Sequence, residues 1–140
     1  MNRIGVSLYY LKISEDPLDI NFLYQKLLAP EYGGICMFAG TVRQWTGEIE
    51  TKKIEYTAYQ EMAEKELNKL AEPIEQAGGR VVVAHRLGVL DVSETAVFVG
   101  VATPRRAEAF KGCRYVIDTL KKEVTIWKKE YDTDKVRWGK

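Results

Sequence analysis

The sequence predicts an α+β protein, a largely antiparallel sheet flanked by helices. Segments rich in β-branched and aromatic residues mix with amphipathic helical segments without a strict βαβ rhythm. At 140 residues the chain is long enough to bury about two thirds of its unfolded surface, so a core needs neither disulfides nor metal. No internal repeat, low-complexity stretch or Pro/Gly/Ser linker divides it, so residues 1–140 read as one domain.

The elements follow in order. Residues 3–13 (RIGVSLYYLKI) predict a strand, and Asp19 caps a helix, INFLYQKLLA, stopped by Pro30. Gly33-Gly34 introduces the apolar run Ile35–Arg43, which suits a strand buried on both faces, with Gly40 permitting a bulge or a close backbone approach. A turn at Trp45–Glu48 leads to a strand over Thr51–Tyr59. Residues 60–77 place Met62, Leu67, Leu70, Ile74 and Ala77 at helical spacing, ended by Gly78-Gly79. Val81–Arg86 and Ala96–Thr103 predict strands separated by Gly88 and a turn at Asp91–Glu94. Thr103 is placed to N-cap a helix with Pro104 at its first position, running to about Lys122 with Ala109, Phe110, Cys113, Val116, Ile117 and Leu120 inward. Val124–Tyr131 predicts the last long strand and Val136–Trp138 a short one.

Lys plus Arg (21) against Asp plus Glu (20) leaves a net charge of +1, which excludes a protein that coats nucleic acid or anionic membrane by bulk charge. The sum hides a segregation. Residues 1–100 carry 10 basic and 14 acidic side chains, net −4, and residues 101–140 carry 11 and 6, net +5. The longest hydrophobic run, Ile35 to Ala39, is far short of the roughly 20 residues that span a bilayer. The start, Met-Asn-Arg-Ile-Gly, lacks a secretory apolar core, so a cytoplasmic protein is expected. Cys36 and Cys113, 77 positions apart in apolar segments, read as reduced core thiols.

Several cations sit where local rules do not explain them. Arg105 and Arg106 occupy the start of a helix, where the macrodipole is already positive and each costs on the order of 0.3–1 kcal/mol. A bound phosphate or carboxylate would favour them, and so would surface pairing with Glu108. On a wheel at about 100° per residue, Arg106 falls within about 30° of the apolar stripe's centre and Lys121 at its edge, where its stem can also simply cover the core. Lys128 follows Val124 and Ile126 inward by the period of two, whereas Lys129 shares the other face with Trp127 and Tyr131. Arg43 ends the buried strand, either as a rim residue or as a ligand contact, and His85 reads as a hydrogen-bonded structural histidine. With one His, metal-dependent hydrolysis lacks ligands. There is no P-loop, Gly-x-Ser-x-Gly elbow or paired-carboxylate signature.

The segments FAGTVR (38–43), AHRLGVL (84–90), VFVGVATPRRAEAF (97–110) and LKKEVTIWKKE (120–130), in this order and spacing, resemble the large subunit of molybdopterin synthase, the MoaE family. The likeness runs from about Ile35 through Trp138, and the first 30 residues contribute little. It implies an α/β-hammerhead fold and a central homodimer, with one small ubiquitin-like, MoaD-like sulfur-carrier subunit on each protomer to complete a heterotetramer. It implies a sulfurtransferase. The carrier's C-terminal Gly-Gly thiocarboxylate donates sulfur in two rounds to cyclic pyranopterin monophosphate, forming the dithiolene of molybdopterin for molybdenum cofactor biosynthesis. The pterin is then substrate, and no cofactor, metal, nucleic acid or membrane is implied.

Residue by residue, Thr41, Val42 and Arg43 match the family's substrate-contacting strand end. Arg105 and Arg106 match the pair opening the long helix, Lys121 the essential helix lysine, and Lys128, Lys129 and Glu130 the lysine-bearing strand. The expectation is that Arg43, Arg105 and Arg106 hold substrate anions, Lys121 takes the thiocarboxylate terminus and transfers protons, and Lys128 assists near the reacting carbons. Relatives commonly carry His where this chain has Arg105, which stays charged and cannot shuttle protons. They also often carry Pro near Thr125. The competing class is a non-catalytic module whose basic corner docks a phosphorylated or acidic partner or RNA, although its Trp and Tyr residues are scattered rather than interleaved with basic ones.

Overall fold

The computed structural model describes residues 9–132 and 136–139. Its elements are β1 (Tyr10–Ser14), α1 (Ile20–Gln25), β2 (Gly34–Thr41), β3 (Trp45–Thr46), β4 (Ile49–Ala58), α2 (Gln60–Gln76), β5 (Arg80–Arg86), β6 (Gly88–Asp91), β7 (Thr95–Thr103), α3 (Arg106–Glu123), β8 (Ile126–Asp132) and β9 (Val136–Gly139). One sheet has the order β1-β5-β7-β2. The other runs β3-β4-β8-β9, with β6 also on β4. Among the described residues every pairing is antiparallel except β1 with β5. The expected α+β architecture is therefore the one found. The part of the first predicted strand before Tyr9 lies outside the described residues. No described helix is long and apolar enough to cross a membrane.

The central strands β5 and β7 are covered on both faces. Val81, Val83, Val97, Val99 and Val101 meet Leu67, Leu70, Cys113, Val116 and Leu120 of α2 and α3, while Val82, Ala84, Phe98 and Ala102 meet Leu23 and Leu27. A third cluster, Val42, Ile54, Leu90 and Ala96, joins the two sheets. At about 25 cal/mol per Å² of apolar area removed from water, these three contacts dominate the stabilisation of the fold.

Several sequence expectations are corrected. The run from Ile35 is not buried on both faces, and β2 lies at the edge of its sheet. Met37, Phe38 and Ala39 are exposed, whereas β5 and β7 hold the doubly covered positions. The expected irregularity at Gly40 is present as a register shift between Gly40 and Thr41, and a Cβ on Gly40 would lie 2.8 Å from Val97 Cγ1. Helix α3 starts at Arg106. Thr103 ends β7, and its hydroxyl donates to the Arg105 carbonyl, so Arg105 takes the N-cap position without a side-chain cap. Phe110 is 63% exposed, and the stripe is completed by Gly112 instead.

In α2, Ala63 and Ala71 are buried while Met62 and Ala77 are exposed, so the buried face is rotated from the expected one. Asp19 does cap α1, with Oδ1 accepting from Phe22 N at 3.1 Å, but the helix ends at Gln25. Strand β6 lies beyond the elements that the sequence predicts. Its four residues are identifiable by their partners on β4.

Candidate functional site

Lys121 and Lys128 come from different elements and meet. Alternation along β8 turns Ile126, Lys128 and Glu130 to one face, and β4 places Tyr56 directly opposite Lys128. The last full turn of α3 brings Lys121 over the same spot. Together with His85, Val97 and Leu120 these side chains line a pocket of about 50 Å³. That volume admits a water or a slender chain end. Lys128 is half-buried and its ammonium lies 3.6 Å from Glu130, whose carboxylate also pairs with Arg137 at 3.2 Å. Glu130 thus anchors Lys128 from the rim.

The two ring side chains beside the lysines are kept neutral. His85 is buried, and its pKa falls from 6.5 to about 4. Burial is the main cause and the Lys121 charge adds to it, against an opposing hydrogen bond to the Arg86 carbonyl. That bond, Nδ1 to Arg86 O at 2.9 Å, assigns the ring proton to Nδ1 because a carbonyl only accepts. The Tyr56 ring stands edge-on to the His85 ring at 5.0 Å. Its hydroxyl pKa is raised by burial and then by the Glu130 charge, so the phenol keeps its proton.

The other expected site residues are dispersed. Lys129 lies on the opposite face of β8, its ammonium 5.2 Å from the Tyr131 ring centroid and 5.1 Å from that of Trp138. Arg43 is exposed at the end of β2 and donates from Nη2 to Thr46 Oγ1 at 3.4 Å. Thr41 is exposed beside the bulge. Val42 turns its side chain into the core, and its N–H and carbonyl bond Glu94 O at 2.9 Å and Ser93 N at 2.7 Å. Val42 therefore fixes where Arg43 emerges.

Arg105 and Arg106 are exposed at the far end of α3, and among the described residues neither forms an ion pair, so the pairing with Glu108 is not made. Gly34 lets β2 press on this corner, since a Cβ there would lie 2.7 Å from Arg106 Cα. Fifteen residues at 1.5 Å each put Arg106 about 22 Å along the helix from Lys121. Beside Arg105 opens a wider, mostly apolar cleft of about 740 Å³, lined in part by Ile74, Pro104, Lys111 and Tyr115. This wider cleft is thus not the one that holds the lysines.

Sequence reading assigned neither Tyr56 nor His85 to the site. The signal for His85 was available, because it shares the two-residue period with Val81 and Val83 and so faces α3. Tyr56 carried none, since its place depends on the pairing of β4 with β8.

The family model for MoaE protein matches residues 13–123. The molybdopterin synthase catalytic subunit of Bacillus subtilis (strain 168) is 37% identical over 129 residues, 91% of this chain and 82% of that relative. The X-ray crystal structure of molybdopterin synthase from Staphylococcus aureus matches with a TM-score of 0.86 at 33% identity, covering 92% of this chain and 96% of that one. A chain from the protein–protein complex of subunits 1 and 2 of molybdopterin-converting factor from Helicobacter pylori 26695 shares the fold, with a TM-score of 0.79 at 23% identity over 93% of this chain and 90% of that one. With the family model spanning most of its length and this identity to a curated relative, the chain belongs to the MoaE family.

Proposed function

We propose that the chain is the catalytic subunit of a molybdopterin synthase, a sulfurtransferase that moves sulfur from the C-terminal thiocarboxylate of a small carrier protein to cyclic pyranopterin monophosphate. The observation that carries this reading, in a member of the MoaE family, is the meeting of Lys121 and Lys128 in one narrow pocket beside a neutral histidine. Two ammonium groups with one carboxylate at the rim favour an anion. A pocket of about 50 Å³ suits the thin Gly-Gly end of a carrier and leaves the pterin to lie outside its mouth. Lys121 then contacts the thiocarboxylate and transfers protons, and Lys128 stabilises charge at the reacting carbons.

Arg43, Arg105 and Arg106 are assigned to the phosphate and other substrate anions, Thr41 to its contact at the strand end, and Lys129 and Glu130 to the flanks of Lys128. The spacing of about 22 Å between Arg106 and Lys121 supports a homodimer in which the arginine corner of one copy serves the lysine pocket of the other.

Purified protein mixed with thiocarboxylated carrier and the pyranopterin precursor is expected to form the dithiolene product. Lys121→Ala is expected to lose on the order of 10²-fold or more of that rate. Full turnover by the variant removes Lys121 from the mechanism. No turnover by wild type with its cognate carrier favours a non-catalytic anion-binding module instead.

A further inference from the structure

His85 is the only histidine in the chain, and the roles given above to the lysines and arginines do not use it. Its Nδ1–H is taken by the Arg86 carbonyl, which leaves Nε2 as a bare lone pair. Nε2 has no hydrogen-bond partner among the described residues, yet no fully buried side-chain nitrogen or oxygen among them lacks one. The atom must therefore touch open space, and the space that the ring borders is the pocket with Lys121 and Lys128. The groups facing the ring are Tyr56 from β4, Lys121 from α3 and Lys128 with Glu130 behind it from β8, alongside apolar Val97 of β7. On β1 its register partner is Ile13.

We propose that His85 is a positioning residue for Lys121: the Arg86 carbonyl fixes its tautomer, and Nε2 accepts a hydrogen bond from the Lys121 ammonium, directly or through one water. The pocket has room for that water, and its polar lining supplies the partners a bound water needs. The choice of an imidazole has a physical reason. A lysine on the last turn of a helix has four rotatable bonds to immobilise, and a carboxylate that held it would cancel the charge an incoming anion needs. A neutral acceptor aims the ammonium and leaves its charge intact. Burial and the ammonium itself keep the ring unprotonated through the neutral range, so the acceptor is not lost there.

The consequence for catalysis rests on the sulfur-transfer reading, but the coupling of the two residues does not. With one histidine, long-range ¹H–¹⁵N NMR of ¹⁵N-histidine-labelled protein is unambiguous. It is expected to show the proton on Nδ1 at neutral pH. In Lys121→Met the Nε2 resonance is expected to move and the ring to take its proton at a higher pH than in wild type. A proton on Nε2, or a titration unmoved by Lys121→Met, overturns the proposal.

In turnover, His85→Asn keeps an amide donor for the Arg86 carbonyl and removes the acceptor. It is expected to lower kcat on the order of 10- to 100-fold. His85→Gln, which sets an amide oxygen near the Nε2 position, is expected to recover part of that loss, a rescue that a purely structural histidine does not produce. A His85→Asn protein with a wild-type melting temperature and wild-type kcat overturns the proposal. If both variants fail to fold, the NMR comparison in Lys121→Met decides. Wild type that shows the coupling but makes no dithiolene overturns the function proposed above and leaves the positioning role standing.

Discussion

Burial and the Lys121 ammonium hold the His85 imidazole at a pKa of about 4, whereas the unfolded chain gives it the ordinary 6.5. Between those values the unfolded state binds the extra proton, so stability is full above about pH 6.5 and falls as pH drops toward 4. The shift corresponds to about 3 kcal/mol, and denaturant melts across that window are expected to show a loss of this order. In His85→Asn the loss is expected to shrink; an unchanged pH slope in the variant would assign the acid sensitivity to other groups. Residue chemistry of this kind was half legible in the sequence. The alternation of β5 turned His85 inward, but only the packing of α3 brought a cation to it. The cysteines repeat the lesson. They are 77 positions apart and read as reduced core thiols, and only the fold brings Cys36 to Cys113, whose pKa is pushed up to about 12 by burial and then by the Cys36 thiol.

At the scale of elements, the start of α3 carries a cation that the helix dipole disfavours, with Glu108 in the same turn offsetting part of the cost. Arg106 stands in its first turn, exposed and without an ion pair among the described residues. Arg106→Ala removes a cation from the positive end of the dipole and introduces the best helix former. Thermal unfolding without ligand is therefore expected to show little loss, or a gain of about 0.3–1 kcal/mol. A loss of several kcal/mol would make Arg106 a structural residue.

Element types and approximate bounds followed from periodicity, capping and glycine pairs. Coverage did not. The apolar run from Ile35 looked central and is an edge strand, and Phe110 sat within the helical stripe yet is exposed. Periodicity states that a face is apolar, whereas neighbouring elements decide whether it is covered. Short β6 escaped for a related reason, because four residues carry little period of their own and are held by pairing with β4.

Across the whole molecule, the proposed homodimer has a signature in mixtures. If Arg106 of one copy serves the Lys121 pocket of the other, mixing Arg106→Ala and Lys121→Ala proteins forms hybrid dimers with one intact site and one doubly damaged site. Random exchange of equal amounts is expected to restore about a quarter of wild-type turnover, while each variant alone stays low. Failure to recover activity, with hybrid dimers shown to form, would place both residues in a site within one chain. The charge division at residue 100 bears on the same question. It located the basic excess in the last forty residues. The fold divides that excess between the two ends of α3, with Lys121 and Lys128 at one and Arg105 and Arg106 at the other.

The sequence by itself determined the family, the α+β class and which cations depart from local rules, because motif order, two-residue and helical periods and helix-end preferences are written in neighbouring residues. Only the tertiary structure decided which cations share a pocket, that a neutral His85 and Tyr56 line it with them, and that the arginine corner lies about 22 Å away along the helix. Those facts depend on strand pairing and helix packing between residues dozens of positions apart, which no local pattern encodes.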